Sequence, residues 1–136
     1  MANGHSDTTT EGIRVRVAAQ FLPDHSDPDT PSFVFAYRVI LTNVGERRAK
    51  LLSRHWIIRD ANNEEREVRG PGVVGQHPDL EPGQSFEYFS RCELATGWGT
   101  MEGSYLMQRE HGETFAAKIG RFFLAKNVAP LTAMGV

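Results

Sequence analysis

Apolar and polar residues alternate with a period of two along most of this chain, and that alternation predicts strands. Ile13, Val15, Val17 and Ala19 are interleaved with Arg14, Arg16 and Gln20, the pattern of a half-buried strand. Phe33, Phe35, Tyr37, Val39 and Leu41 share one face of the next segment, and Val34, Ala36 and Ile40 make its other face apolar as well, which suits a central strand. Lys50 to Arg59 reads as a third strand, in which alternation puts Leu52, Arg54, Trp56 and Ile58 on one face and Ser53 and His55 on the other. Glu64 to Arg69 is short and charged, the composition of an exposed edge. Phe86, Tyr88, Ser90 and Cys92 then oppose Glu87, Phe89 and Arg91, while Met101, Gly103, Tyr105 and Met107 share a face of the following strand. Phe115, Ala117 and Ile119 face inward on the last strand, after which the inward parity moves to Phe122 and Leu124; a bulge at Gly120 would produce that shift. No stretch sustains a 3.6-residue period without Gly or Pro. Short strands at regular spacing, with no helices between them, predict an all-β fold, an antiparallel β-sandwich. The Cys…Trp…Cys frame of immunoglobulin domains is absent, which favours a fibronectin type III-like variant.

Turn chemistry divides these segments. Pro23 to Pro31 is a loop by composition, Asp60-Ala61-Asn62-Asn63 a turn, Ala95 to Thr100 a loop carrying Trp98, and Glu110-His111-Gly112-Glu113 a hairpin turn. Residues 1–12 are polar and are expected to form a disordered tail, residues 13–125 the sandwich domain, and residues 126–136 a loose C-terminal tail. The densest punctuation lies between Arg69 and Gly83, a long crossing between two sets of strands. It contains a literal G-x-G-x-x-G at Gly70, Gly72 and Gly75. A dinucleotide fingerprint needs a helix opening directly after the last glycine, and here Pro78, Pro82 and Gly83 leave no room for one. A P-loop fails too, because Gln76 and His77 stand where Lys and Ser/Thr are required. Two readings of the glycines stay open: turns and bulges that need positive φ, or a concave nest of N–H groups that binds an anion such as pyrophosphate.

Composition narrows the function classes. The chain has 136 residues, enough for one domain with its own core. Fifteen basic against seventeen acidic side chains leave a net charge of −2, so no electrostatic footprint for DNA or RNA exists. A single cysteine, Cys92, excludes an internal disulfide and fits a reducing compartment. The N-terminal segment has no apolar core like that of a secretory signal, and no run is long enough for a transmembrane helix; a cytoplasmic protein without membrane insertion is the expectation.

Candidate chemistry is sparse. His5, His25, His55, His77 and His111 are scattered without metal-ligand spacing, and no metal or cofactor is expected. His77, beside the glycine-rich stretch, could bind an anion or cap a turn. Gly83-Gln84-Ser85-Phe86-Glu87 lacks the second glycine of a nucleophile elbow and runs into a strand. Cys92 on an inner strand face reads as a small core residue. Arg54, among apolar neighbours, either pairs a buried acid or stacks on an aromatic; alternatively Trp56 fills the core while Arg54 spans to a neighbouring strand or loop. No catalytic constellation emerges, and the expectation is that the chain is not an enzyme.

Four motifs in order, L-L-S-R-H-W-I-I-R-D-A-N (51–62), G-P-G-V-V-G-Q-H-P (70–78), L-E-P-G-Q-S-F-E-Y (80–88) and G-T-M-E-G-S-Y (99–105), resemble the bacterial ApaG family, also called CorD. The resemblance runs from about Ile13 to Leu124 and implies a fibronectin type III-like sandwich. It implies a protein-interaction module, since the same domain is appended to some eukaryotic F-box proteins and to a polymerase-interacting protein. It also implies a genetic link to cobalt resistance and magnesium efflux. The pyrophosphate site proposed for the family's glycine motif would fall on Gly70, Gly72 and Gly75. Asn62-Asn63 stands where the family commonly has Asn-Gly, and either dipeptide can turn. Two functions from different classes are therefore expected to compete. One is a non-catalytic module that binds a protein partner, with Trp98, Arg69 and His77 as candidate contacts. The other is a binder or weak hydrolase of nucleotide polyphosphates working through the glycine-rich loop.

Overall fold

In a computed structural model, which describes residues 4–27 and 29–126, the chain forms a sandwich of two antiparallel sheets. The strands are β1 (His5–Thr10), β2 (Ile13–Phe21), β3 (Phe33–Asn43), β4 (Ala49–Asp60), β5 (Glu65–Pro71), β6 (Asp79–Leu80), β7 (Ser85–Leu94), β8 (Trp98–Gln108) and β9 (Thr114–Ala125). One sheet runs β1-β2-β3-β7; the other runs β5-β4-β8-β9, with the short β6 also paired to β4. The fibronectin type III-like architecture is thus as the alternation predicts. Inward positions read off the sequence are inward in fact: Val15, Val17, Phe35, Val39 and Leu41 from the first sheet meet Met101, Tyr105, Met107, Ile119, Phe122 and Leu124 from the second. Trp56 is 2% exposed, and its ring meets Tyr37 at 5.3 Å and Phe122 at 6.1 Å in edge-on geometry, the arrangement that aromatic quadrupoles favour.

Three details differ from the sequence reading or sharpen it. Residues 5–10, expected in a disordered tail, form β1, joined to β2 by a tight turn with Glu11 at φ 47° and Gly12 at φ 85°. Both central residues with positive φ make a turn whose twist matches the strands. The inward side of β1 carries Ser6, Thr8 and Thr10, so it shows no apolar alternation; it leans on β9 through hydroxyls, with Thr10 Oγ1 accepting from the Lys118 N–H at 3.1 Å. The bulge expected at Gly120 is present: Gly120 and Arg121 oppose Glu102 alone between the Met101–Phe122 and Gly103–Ile119 pairs. A Cβ on Gly120 would lie 2.5 Å from Thr8 Oγ1, so this glycine lets β1 close over the bulge. A second bulge, in β4, leaves no mark in the alternation. Leu52 is inserted between the Leu51–Met107 and Ser53–Leu106 pairs, so Leu51, not Leu52, is the buried residue. The bulge flips the parity that simple alternation carries back from Trp56. The expected C-terminal tail lies outside the described residues beyond Lys126.

Candidate functional site

Among the described residues β5 is the edge of its sheet, paired only with β4. At the two ends of that pairing Asp60 N–H donates to Glu64 O and Gly72 N–H to Leu52 O, which sets the phase of the ladder. Arg66, Val68 and Gly70 therefore bond toward β4, while Glu65, Glu67 and Arg69 turn their N–H and C=O groups to the open edge. Pro71 falls on an outward position, where its missing N–H removes nothing from the ladder. The outer side chains of β5 are charged: Glu65 pairs with Arg59, and Glu67 bridges His55 Nε2 at 2.6 Å and Arg69 at 3.2 Å. The His55 hydrogen bond, ahead of the Arg69 charge, holds the Glu67 carboxyl below the usual glutamate range.

Each glycine of the motif has its own local reason. Gly70 lies in β5, and a Cβ there would fall 2.8 Å from Nη2 of Arg54, whose guanidinium lies flat against this position. Gly72 has φ 60°, and a Cβ would sit 2.4 Å from Gln76 O. Gly75, at φ 78°, follows Val74 at φ 44°, and these two form the centre of a tight turn closed by reciprocal 2.8 Å bonds between Val73 and Gln76. Gly72 N–H donates to Leu52 O, Val73 N–H to Gln76 O, and Gln76 N–H to Val73 O. The backbone donors of this stretch are thus largely engaged within the fold, not gathered into one concave nest.

Arg54 takes the spanning role: Nη1 donates to Pro71 O and Gly72 O, each at 2.9 Å, tying the glycine-rich loop to β4. No carboxylate pairs with it among the described residues. His77 is exposed, and its Nδ1 lies 3.1 Å from Leu51 O; since a carbonyl only accepts, Nδ1 carries the proton and the ring anchors the loop. Trp98 opens β8 instead of sitting in a loop. Its ring is 49% exposed, lies 6.4 Å from Phe123, and with Arg59, Asp60, Asn63 and Arg121 lines a cavity of about 380 Å³. The structure does not bring the candidate contacts together. His77 is tied to Leu51, which pairs with Met107; Trp98 lies nine residues away along β8, about 30 Å at strand rise. Arg69, opposite His55, falls between them.

The family model described as the ApaG domain matches residues 23–109. The chain belongs to the ApaG family. It is 51% identical to Protein ApaG of Dechloromonas aromatica over 120 residues, covering 88% of this chain and 94% of that protein. Protein ApaG of Anaeromyxobacter dehalogenans is 52% identical over 117 residues, 86% of this chain and 92% of its own. A crystal structure of a Bordetella pertussis protein assigned as ApaA superposes with a TM-score of 0.82 at 43% identity, covering 95% of this chain and all of that one. The ApaG match ends at residue 109, just after β8, so β9, which brings Phe123 against Trp98, lies beyond the C-terminal limit of the matched stretch.

Sequence reasoning missed the space between the sheets beside β5. Arg54 and Arg66 reach into it from the β5–β4 side, and Tyr37, Tyr88, Ser90 and Cys92 from β3 and β7. Arg66 crosses the gap, its Nη2 donating to Glu93 O at 2.7 Å. Burial pushes the Cys92 thiol up, with only a partial offset from Arg66, so it is a poor thiolate. Among the described residues no group of three or more His, Cys, Asp or Glu is placed to hold a metal, and no helix is long and apolar enough to cross a membrane.

Proposed function

We propose that this ApaG domain is a non-catalytic module that binds a protein partner by adding a strand to the open edge of β5. The observation that carries the reading is the phase of the ladder: Glu65, Glu67 and Arg69 present unpaired N–H and C=O groups outward in a row. Charged side chains on the same strand keep that edge from pairing indiscriminately and offer a code for a partner of complementary charge. The link to cobalt and magnesium handling would then act through the partner. The nucleotide-polyphosphate alternative finds less support, because the Gly72, Val73 and Gln76 amides are engaged within the fold and the motif glycines answer local backbone needs.

The test combines capture with a backbone variant. A partner captured from native cytoplasm should slow hydrogen exchange at the Glu65, Glu67 and Arg69 amides. Arg69→Pro deletes one outward donor without touching a β4 ladder bond, so the domain should stay folded while capture falls. Trp98→Ala reports whether the aromatic corner contributes. Undiminished capture by folded Arg69→Pro, with no change in β5 exchange, would refute edge pairing.

A further inference from the structure

The space beneath the glycine-rich loop holds polar groups whose hydrogen-bonding capacity the protein does not use. A cavity of about 220 Å³ is lined by Tyr37, Arg54, Trp56, Val73, Tyr88 and Ser90, and Val74 closes it from the loop. Arg54 brings the one formal charge in that lining. It has five N–H donors, and the bonds to Pro71 O and Gly72 O use only Nη1. A guanidinium half-buried between two sheets ordinarily has a carboxylate beside it, and Arg54 has none among the described residues.

The tyrosines carry a second, independent surplus. Tyr88 Oη and Tyr105 Oη lie 2.5 Å apart across the sandwich, so two hydroxyl protons share one bond between them. Tyr105 is fully buried and does not line the cavity, whereas Tyr88 does. The arrangement that leaves no donor stranded has Tyr105 donating to Tyr88 and Tyr88 turning its own proton into the cavity. No protein acceptor meets it there among the described residues. Ser90, opposite Tyr37 in the β3–β7 ladder, adds a hydroxyl at the same wall. Cation, phenol proton and serine hydroxyl converge on a space otherwise walled by Trp56, Val73 and Val74.

We propose that this cavity is a carboxylate-binding site. Arg54 and Tyr88 are its donors, Ser90 supports them, and the apolar walls take the adjoining methylenes. One guanidinium balances one carboxylate, whereas a polyanion such as pyrophosphate would carry charge that this lining does not neutralise. The carboxylate can come from a small free acid or from an acidic side chain of a bound segment, and the chemistry is the same. The site does not depend on edge pairing at β5, so either can fail alone.

The test follows backbone amide signals of Val73, Val74 and Ser90 while the full chain is titrated with propionate, inorganic phosphate, and a short peptide carrying one Glu or Gln at its centre. Saturable shifts with propionate and with the Glu peptide, and none with the Gln peptide, are expected. A Glu peptide that binds tighter than propionate assigns the source to a protein segment; equal affinity assigns it to a small acid. Arg54→Gln should weaken binding at least about tenfold and Tyr88→Phe several-fold, as charge-assisted hydrogen bonds require. Tyr88→Phe keeps the ring in place should Arg54→Gln loosen the loop. The proposal is overturned if no carboxylate probe gives saturable shifts up to about 50 mM, if phosphate binds and carboxylates do not, or if folded Arg54→Gln and Tyr88→Phe bind as the wild type does.

Discussion

Replacing Gly70, Gly72 and Gly75 by Ala one at a time should give three different losses of stability, because each glycine is required for a different reason. At Gly72 a Cβ meets two obstacles. The left-handed φ of 60° costs about 1–2 kcal/mol for an L side chain. The contact at 2.4 Å to Gln76 O then forces apart the reciprocal Val73–Gln76 pair, two bonds of about 0.5–1.5 kcal/mol each. Less the roughly 0.4–1 kcal/mol that a stiffer unfolded chain returns, the sum is about 1–5 kcal/mol. At Gly75 the φ of 78° imposes a similar backbone cost, but nothing lies within 4 Å of the added methyl. The stiffer unfolded chain again returns about 0.4–1 kcal/mol, leaving a loss between about zero and 1.5 kcal/mol. At Gly70 no positive φ is involved, and the obstacle is the Arg54 guanidinium, so the cost should be about 1–2 kcal/mol and should vanish when Arg54 is already Ala. Urea denaturation of the three single variants, Arg54→Ala and the Gly70→Ala/Arg54→Ala double variant measures all of this. Equal losses at the three glycines, or a Gly70→Ala cost unchanged in the Arg54→Ala background, would refute the assignment of separate roles.

Two further outcomes follow from the same geometry. Trp56→Ala should destabilise the domain by about 3–5 kcal/mol in chemical denaturation, since a ring 2% exposed leaves a cavity where Tyr37, Tyr105 and Phe122 now meet it; a loss under about 1 kcal/mol would place the ring outside the core. Arg48 hydrogen-bonds the Asp79 carboxylate and holds it below its ordinary value of 3.8. A depressed carboxylate contributes stability that is fully present above the unfolded value and lost as pH falls through the folded one. The small part contributed by this exposed pair should therefore begin to fall as pH drops below the ordinary value of 3.8, be gone below the folded value, and be missing from Asp79→Asn at neutral pH.

The open edge of β5 and the inter-sheet cavity share one cause. β5 extends the second sheet beside β7 without a ladder between them, and the crossing contact is made by Arg66 instead. That open seam leaves an unpaired strand edge on the outside and, farther along, Arg54 and the tyrosines within reach of solvent on the inside.

What the chain determined by itself was periodicity. A side chain in a strand points to one face or the other, so Phe33 to Leu41 and Met101 to Met107 declare their inner faces from local order alone. The parity change after Ile119 likewise reveals the bulge at Gly120, because apolar residues lie on both sides of it to be compared. The bulge at Leu52 is silent, since Leu51 and Leu52 are equally apolar and either could face the core. β1 is silent for a related reason: its inner face packs hydroxyls on a glycine of β9, more than a hundred residues away in sequence, and carries no hydrophobic signature. Turn geometry at Gly72 and Gly75 was legible because positive φ selects glycine locally. The surroundings of Arg54 were not. Which carbonyls it would meet, the lack of an acid nearby, and the convergence with Tyr88 and Ser90 depend on how β3, β4, β7 and the loop stack across the sandwich. Sequence spacing cannot encode these contacts, which come from the distance between two sheets.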